Sequence, residues 1–348
     1  MSGLLCLCRQ GFEPELAAEL SERAAYANVA GYARTQRNDG YVVFVTDEGA
    51  ALSKALSWRS LIFARQKLQV LAELPQLDAA DRITPILAAL QGQQRFGDMW
   101  VEHPDSDEGK PLAGLARAFG NALRPALRKA GLLTDKPNTS LPRLHIVFVD
   151  GRHAFVCVAD TRDSAPWPLG IPRLKLLPDA PSRSALKLDE ALLTLMTPEE
   201  RELLVKPGMR AADLGAAPGG WTWVLTRQHL KVISVDNGPL REHVLETGLV
   251  EHLRADGFHW QPETPLDWMV CDMVEQPRRV AERMATWFRE GWCKHAIFNL
   301  KLPMKKRWDE TRMCLELFQE QAGRPLHLRA KQLYHDREEI TVLASPLR

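Results

Sequence analysis

From residue 209 onward, short apolar runs alternate with longer amphipathic stretches, and this alternation restricts the fold more than any other feature of the chain. Strands are predicted near 209–214, 231–236, 252–255, 266–271 and 295–301, with helices over 219–229, 278–290 and 305–322. Strands separated by helices pair in parallel through right-handed crossovers, giving an open sheet wrapped by helices on both faces. Segments 326–333 and 339–343 follow as an antiparallel strand pair. The expected class is α/β and doubly wound, with its ligand crevice beyond the carboxyl ends of the strands.

The first of these strands runs into Ala212-Asp213-Leu214-Gly215-Ala216-Ala217-Pro218-Gly219-Gly220-Trp221, a glycine-rich turn that opens a helix. Three nucleotide-type ligands compete for such a turn. A dinucleotide turn needs GxGxxG, whose second glycine lets the backbone approach a pyrophosphate; Ala217 fills that slot. A phosphate loop needs GxxxxGK[ST]; Gly215 and Gly220 have the spacing, but Trp221 stands where the lysine belongs. S-adenosylmethionine, which carries no phosphate, is the remaining ligand, and Pro218 is expected to preset φ at the helix start. Asp213 is placed to meet the ligand's ammonium group, Asp236 its ribose hydroxyls and Asp256 its adenine amino group, while Asp272 ends the fourth strand. Any one of these acids alone is equally well a helix cap; four at successive strand ends point to a ligand crevice.

At 348 residues the chain exceeds one ordinary core. A strand at 3–9, a helix at 14–25, a strand at 41–46, a strand within 60–74 and a helix at 79–90 open the chain, and a small α+β domain is expected over 1–75. A strand at 99–102, a helical segment at 112–133 and a hairpin of 144–149 with 153–159 about Asp150-Gly151 suggest a second, over 76–165. Five prolines within 166–181 suit a linker, leaving 182–348 as the doubly wound domain. The six cysteines form no CxxC pair, which suggests buried thiols in a reducing cytoplasm and no metal site. No apolar run reaches the roughly 18 residues of a membrane span, and the opening MSGLLCLCRQ lacks a basic start, so no signal peptide is expected. A monomer is expected.

The turn DLGAAPGGW, together with SRSALKLDEA at 182–191, resembles the FtsJ-like ribose 2′-O-methyltransferases. The resemblance covers 182–344 and implies a Rossmann-like methyltransferase domain using S-adenosylmethionine. It carries four catalytic positions onto Lys187, Asp272, Lys301 and Glu339, with Glu338 an alternative to the last. Over the full length the chain is similar to the ribosomal RNA large subunit methyltransferase M family, through Cys8 to Leu20 and the element order. That similarity implies a ferredoxin-like and THUMP region before the catalytic domain, and methylation of a cytidine ribose in 23S rRNA. It also implies cofactor contacts at Ser184, Ala217, Pro218, Gly219 and Gly220, to which the glycine turn adds Gly215; Ala217 replaces the cysteine often found there.

A ribose 2′-hydroxyl is a poor acid, and a free lysine, with a pKa of about 10.4, is too protonated to take its proton. Burial and a neighbouring ammonium both disfavour a lysine's charge. The expectation is therefore Lys301 as base, tuned by an adjacent Lys187, with Asp272 and Glu339 orienting the pair. The sequence after the fourth strand, Asp272-Met273-Val274-Glu275, lacks the Asn/Asp-Pro-Pro-aromatic loop of amino-group methylation, and no Pro-Cys pair exists for base-carbon methylation.

With a net charge of +1, a nucleic-acid surface must be local. Arg117, Arg124 and Arg128 fall on one face of the 112–133 segment as a candidate phosphate strip, with Lys305, Lys306 and Arg307 as a second cluster and Trp221, Trp223 and Trp308 as candidate base-stacking side chains. The competing readings are a non-catalytic RNA-binding or assembly factor, a 2′-O-methyltransferase of another RNA, and a small-molecule methyltransferase.

Overall fold

The computed structural model describes residues 2–346, and the chain divides into two compact units, one ending at Pro172 and the next beginning at Arg173. The first contains β1 (Gly3–Leu7), α1 (Glu13–Tyr26), β2 (Tyr32–Arg34), β3 (Tyr41–Val45), α2 (Gly49–Ala55), β4 (Gln66–Leu74), α3 (Ile83–Ala89), β5 (Asp98–Glu102), α4 (Ala113–Lys129), β6 (Arg143–Phe148) and β7 (Ala154–Ala159). Its seven strands form one sheet in the order β2-β3-β1-β4-β7-β6-β5. The expected break at 75/76 lies just after β4, yet β4 pairs antiparallel with β7, so the sheet runs across it. Helix α4 buries Ala116, Phe119, Leu123 and Leu127, the 3.6-residue stripe, against Leu144, Ile146 and Phe148.

The proline-rich segment is not a free linker throughout. Ala165, Leu169 and Ile171 are buried in the first unit. Arg143 donates to the Ala165 carbonyl at 2.9 Å, and Glu102 accepts the Leu169 N–H at 2.6 Å. Backbone polar groups paired in this way fix the segment as far as Pro172.

The second unit contains α5 (Ala185–Thr194), α6 (Pro198–Leu204), β8 (Arg210–Leu214), α7 (Gly220–Arg227), β9 (Lys231–Val235), α8 (Glu242–Leu245), β10 (Val250–Leu253), β11 (Leu266–Cys271), α9 (Pro277–Arg289), β12 (Cys293–Lys301), α10 (Arg307–Gln321), β13 (Leu326–Lys331) and β14 (Glu339–Pro346). The sheet order is β10-β9-β8-β11-β12-β14-β13, parallel from β10 to β12, with β14 antiparallel to both neighbours. The expected strand and helix pattern is thus present as a doubly wound sheet. The chain steps outward from β8 through β9 to β10 and then returns to β11 on the other side of β8. That reversal opens a crevice at the carboxyl ends of β8 and β11. Leu188, Ala191 and Leu192 of α5, with Leu195 just beyond its end, bury into the core with Trp221, Val224, Trp268, Val270 and Ile297, which leaves Lys187 beside the packed face. All six cysteines are buried thiols.

Candidate active site

The turn after β8 packs too tightly for side chains. Gly215 has φ +75°, and a Cβ there would lie 2.5 Å from Met273 Cγ. A Cβ on Gly257 would lie 3.0 Å from the Gly215 nitrogen, and one on Gly220 would overlap the Ser184 hydroxyl. Helix α7 begins at Gly220 with Gly219 as its cap at φ 111°, so Pro218 precedes the cap rather than opening the helix as expected. Ser184 shares a 2.6 Å hydrogen bond with Ser182, and its carbonyl accepts the Trp221 indole N–H at 3.0 Å. That bond joins the 182–187 segment to the glycine turn.

Asp236 follows β9, half-buried, and accepts from the Ala217 N–H at 2.9 Å and the Gly238 N–H at 2.7 Å. Asp256 stands exposed, accepting from the Phe258 N–H and lying 2.6 Å from His259 Nδ1. Asp213 corrects the expectation. It is 1 % exposed, turned into the protein, and accepts from Thr222 Oγ1 at 2.7 Å; Thr222 in turn lies 2.7 Å from Ser234 Oγ. Burial, against the opposing pull of the Thr222 hydrogen bond, pushes its carboxyl up to about 7. It is a buried acid beneath the turn, not a contact for a ligand's ammonium.

Three of the four catalytic-type residues meet directly. The Lys187 ammonium lies 3.3 Å from each oxygen of Asp272 and makes a close ion pair with Glu339. Burial works against the charge on Lys187, but Asp272 and Glu339 outweigh it and hold its pKa above the ordinary lysine value. Burial also raises the Asp272 carboxyl, with Lys187 opposing. Glu338 points elsewhere, 62 % exposed and paired with Arg307 at 2.7 Å.

Lys301 is the fourth. It ends β12, exposed, as the register partner of Glu339. The Leu302 N–H donates to the Glu338 carbonyl at 2.7 Å, which makes Lys301 and Glu339 a non-hydrogen-bonded pair, the kind whose side chains stand closest on one face. Among the described residues, the ion-pair partners of Lys187 are the two carboxylates, and they decide its charge. Lys187 therefore stays charged, and Lys301 is not buried.

The sequence did not single out what lies behind Asp272. Asn299 donates to Asp272 Oδ1 at 2.7 Å, and Thr341 Oγ1 lies 2.7 Å from Asn299 Oδ1 and 3.0 Å from Asp336 Oδ2. Glu190 accepts the Tyr334 and His335 N–H groups at 2.7 and 3.0 Å, holding the loop between β13 and β14. The available signal was alternation: Asn299 and Lys301, two apart in an apolar strand, share a face.

The candidate RNA-contact residues divide. Arg117 is exposed, but Arg124 is held by Asp98 at 3.1 Å and the Met99 carbonyl at 2.8 Å, and Arg128 by the carbonyls of Thr134 and Asp135. These two arginines fasten α4 to its neighbours, so the strip is not a free face. Lys305 and Lys306 are exposed, whereas Arg307 is tied to Glu338. Trp221 and Trp223 are core residues at 3 % and 5 % exposure, so neither stacks a base; Trp308 is half-buried.

Comparison with known proteins identifies the domains that carry this arrangement. Residues 1–68 match the RlmM ferredoxin-like domain, 81–160 the N-terminal domain of ribosomal RNA large subunit methyltransferase M, and 180–322 the FtsJ-like methyltransferase domain. Ribosomal RNA large subunit methyltransferase M of Stenotrophomonas maltophilia strain R551-3 is 84% identical over 346 residues, covering 99% of this chain and 98% of that protein. The protein of that name from Xanthomonas campestris pv. campestris strain B100 is 83% identical over 344 residues, with 99% of each covered. The chain belongs to the ribosomal RNA large subunit methyltransferase M family. As a family M enzyme it is a methyltransferase, and S-adenosylmethionine is its methyl donor. The turn fits that donor. Gly215 and Gly257 let the loops after β8 and β10 pack against each other and against Met273, and the Gly215–Gly220 run beside them carries only small side chains. The residues that could hold the donor are Ser184, the Gly215–Gly220 turn, Asp236, Asp256 and Asp272. Among the described residues no helix is long and apolar enough to cross a membrane, and no group of His, Cys, Asp and Glu could hold a metal ion.

Proposed function

We propose that the chain methylates the 2′-hydroxyl of a cytidine ribose in 23S rRNA, in the peptidyl-transferase region, with Lys301 as general base. The observation that carries this reading is the grouping of Lys187 with Asp272 and Glu339, with Lys301 directly across the strand pair from Glu339. The rRNA target is inferred from the family M relatives, which cover 99% of the chain.

The donor supplies an electrophilic methyl group on a sulfonium. The protein's part is to hold the sugar oxygen, remove its proton and balance charge. Lys187 stays an ammonium between two carboxylates and supplies a fixed positive charge beside the reacting oxygen. Lys301 faces solvent at the strand end, so an RNA seated there removes water from its amine. That desolvation disfavours the charged form and frees a lone pair for the 2′-hydroxyl proton. Glu339, between the two lysines, receives the developing ammonium on Lys301 as the proton arrives. With the donor bound, residues that fix the sugar oxygen against its methyl group would supply much of the remaining rate gain by positioning. Arg117, Lys305 and Lys306 are the exposed cations of the candidate set, and each would contact phosphates in this reading.

The test is mass mapping of 23S rRNA from cells that lack this protein, repeated with the Lys301→Ala protein restored. The reading expects one 2′-O-methylcytidine to disappear in the first case and to stay absent in the second. A lost base methyl, or an unchanged map, overturns it; restoration by Lys301→Ala overturns the base assignment.

A further inference from the structure

We propose that Asn299, Thr341 and Asp336 are positioning residues, a hydrogen-bond chain running from a buried carboxyl through a hydroxyl and an amide to fix the Asp272 carboxylate against Lys187. The inference rests on the tetrad reading above. Its logic is donor accounting. Asp272 Oδ1 can only accept, so the Asn299 group 2.7 Å away is the amide NH2, which turns Asn299 Oδ1 toward Thr341. That oxygen is also an acceptor, and Thr341 Oγ1, 2.7 Å away, has one proton to give it. With that proton committed, the 3.0 Å contact between Thr341 Oγ1 and Asp336 Oδ2 is favourable only when Asp336 carries a proton of its own. Asp336 is 1 % exposed, and burial, reinforced by Glu339, pushes its carboxyl well above the usual range. Every member is thus oriented in one sense, from Asp336 to Thr341 to Asn299 to Asp272.

The chain is buried throughout, with Asn299 at 2 % and Thr341 at 0 % exposure, so no water can replace a lost partner cheaply. Two strands hold it, since Asn299 and Thr341 are register partners on β12 and β14, as are Lys301 and Glu339 two residues on. The same strand pair therefore places the proposed base and orients the carboxylate that holds Lys187. Glu190 clamps the loop carrying Asp336 from the side of α5, the helix that presents Lys187.

The ionisable groups facing Asp272 are Lys187 from α5, Glu339 from β14 and Asp213 from β8, with the Cys271 thiol beside it pushed up to about 12. Against that fixed background the amide donor holds the Asp272 carboxyl down, so removing it should raise the group further. The test is carboxyl 13C titration of the full chain, together with methyl-transfer kinetics. Asn299→Leu should shift the Asp272 titration upward by on the order of one pH unit, the worth of one hydrogen bond to a charged group. Thr341→Val should shift it in the same direction by less, and Thr341→Ser should restore it. In the two disruptive variants kcat should fall and its acid limb move to higher pH, while KM for rRNA and calorimetric cofactor affinity stay as they were. An unmoved Asp272 titration in Asn299→Leu, or a loss confined to KM, overturns the proposal. Should the variants fail to fold, the unmodified protein decides: Asp336 must show a protonated carboxyl at neutral pH, and an ionised one refutes the chain. None of these titrations depends on Lys301, so failure of the base assignment is seen separately.

Discussion

Lys301 and Glu339 face each other across β12 and β14 as a non-hydrogen-bonded pair, and Glu339 reaches on to the ammonium of Lys187. One carboxylate therefore stands between two lysines of unlike surroundings, one enclosed and charged, the other open to whatever docks on the strand end.

Because only an amine that can give up its proton serves as a base, Lys301→Arg is the informative substitution. A guanidinium keeps the positive charge but is never deprotonated in proteins. Methyl transfer should fall by about 10²–10⁴-fold, the usual worth of general-base catalysis. Cofactor affinity measured by calorimetry should not change. Substantial activity in the arginine variant would show that Lys301 acts through charge alone.

At Gly215 the strain and the close approach are separable. Gly215→Ala places a Cβ in the left-handed region and 2.5 Å from Met273 Cγ. The backbone strain alone should cost about 1–3 kcal/mol by denaturant unfolding, and cofactor affinity should fall as the turn shifts. Adding Met273→Ala should recover the part due to the close approach and leave the strain.

Asp213 makes stability depend on pH in an unusual direction. Its carboxyl, ordinarily near 3.8, is pushed up to about 7 in the fold. Between those values the folded chain holds a proton that the unfolded chain has released, so stability falls as pH rises through that window. The loss is at most about 4 kcal/mol, at 1.36 kcal/mol per unit. Asp213→Asn keeps the acceptor for Thr222 and removes the titration. Thermal unfolding from pH 4 to 8 should show a flatter profile and a higher midpoint at neutral pH. A profile parallel to that of the unaltered protein would refute it.

Arg117 and Arg124 should separate binding from structure. Arg124→Ala removes a half-exposed pair with Asp98 and a bond to the Met99 carbonyl, and should cost about 0.2–1 kcal/mol of stability. Arg117→Ala should leave stability alone and weaken rRNA binding, with a shallower salt dependence. An Arg117 variant that binds as before removes α4 from the RNA surface.

The parallel sheet was legible because its signals are local: apolar runs of strand length, helices between them, and a glycine turn at the first strand end. That Asp236 and Asp272 directly follow strand ends was legible for the same reason. What was missed depends on contacts between distant residues. Asp213 lies in the same run as the turn, but only packing under α7 shows that it faces Thr222 rather than the crevice. Arg124 and Arg128 have helical spacing with Arg117, but their partners lie in β5 and the loop after α4. The charge on Lys187 could not be read from Lys301, because two carboxylates from other strands decide it. Short elements such as β2 and α2 carry too few residues for a pattern to show.

The position of β14 sets when the chain becomes competent during refolding. This strand must slot antiparallel between β12 and β13, and the ion pair it completes joins residues 152 apart in sequence (339 − 187). Closing so long a loop is slow compared with local helix and turn formation. Regain of turnover should thus trail regain of helical signal after dilution from denaturant, and partly refolded molecules with intact outer strands would be inert.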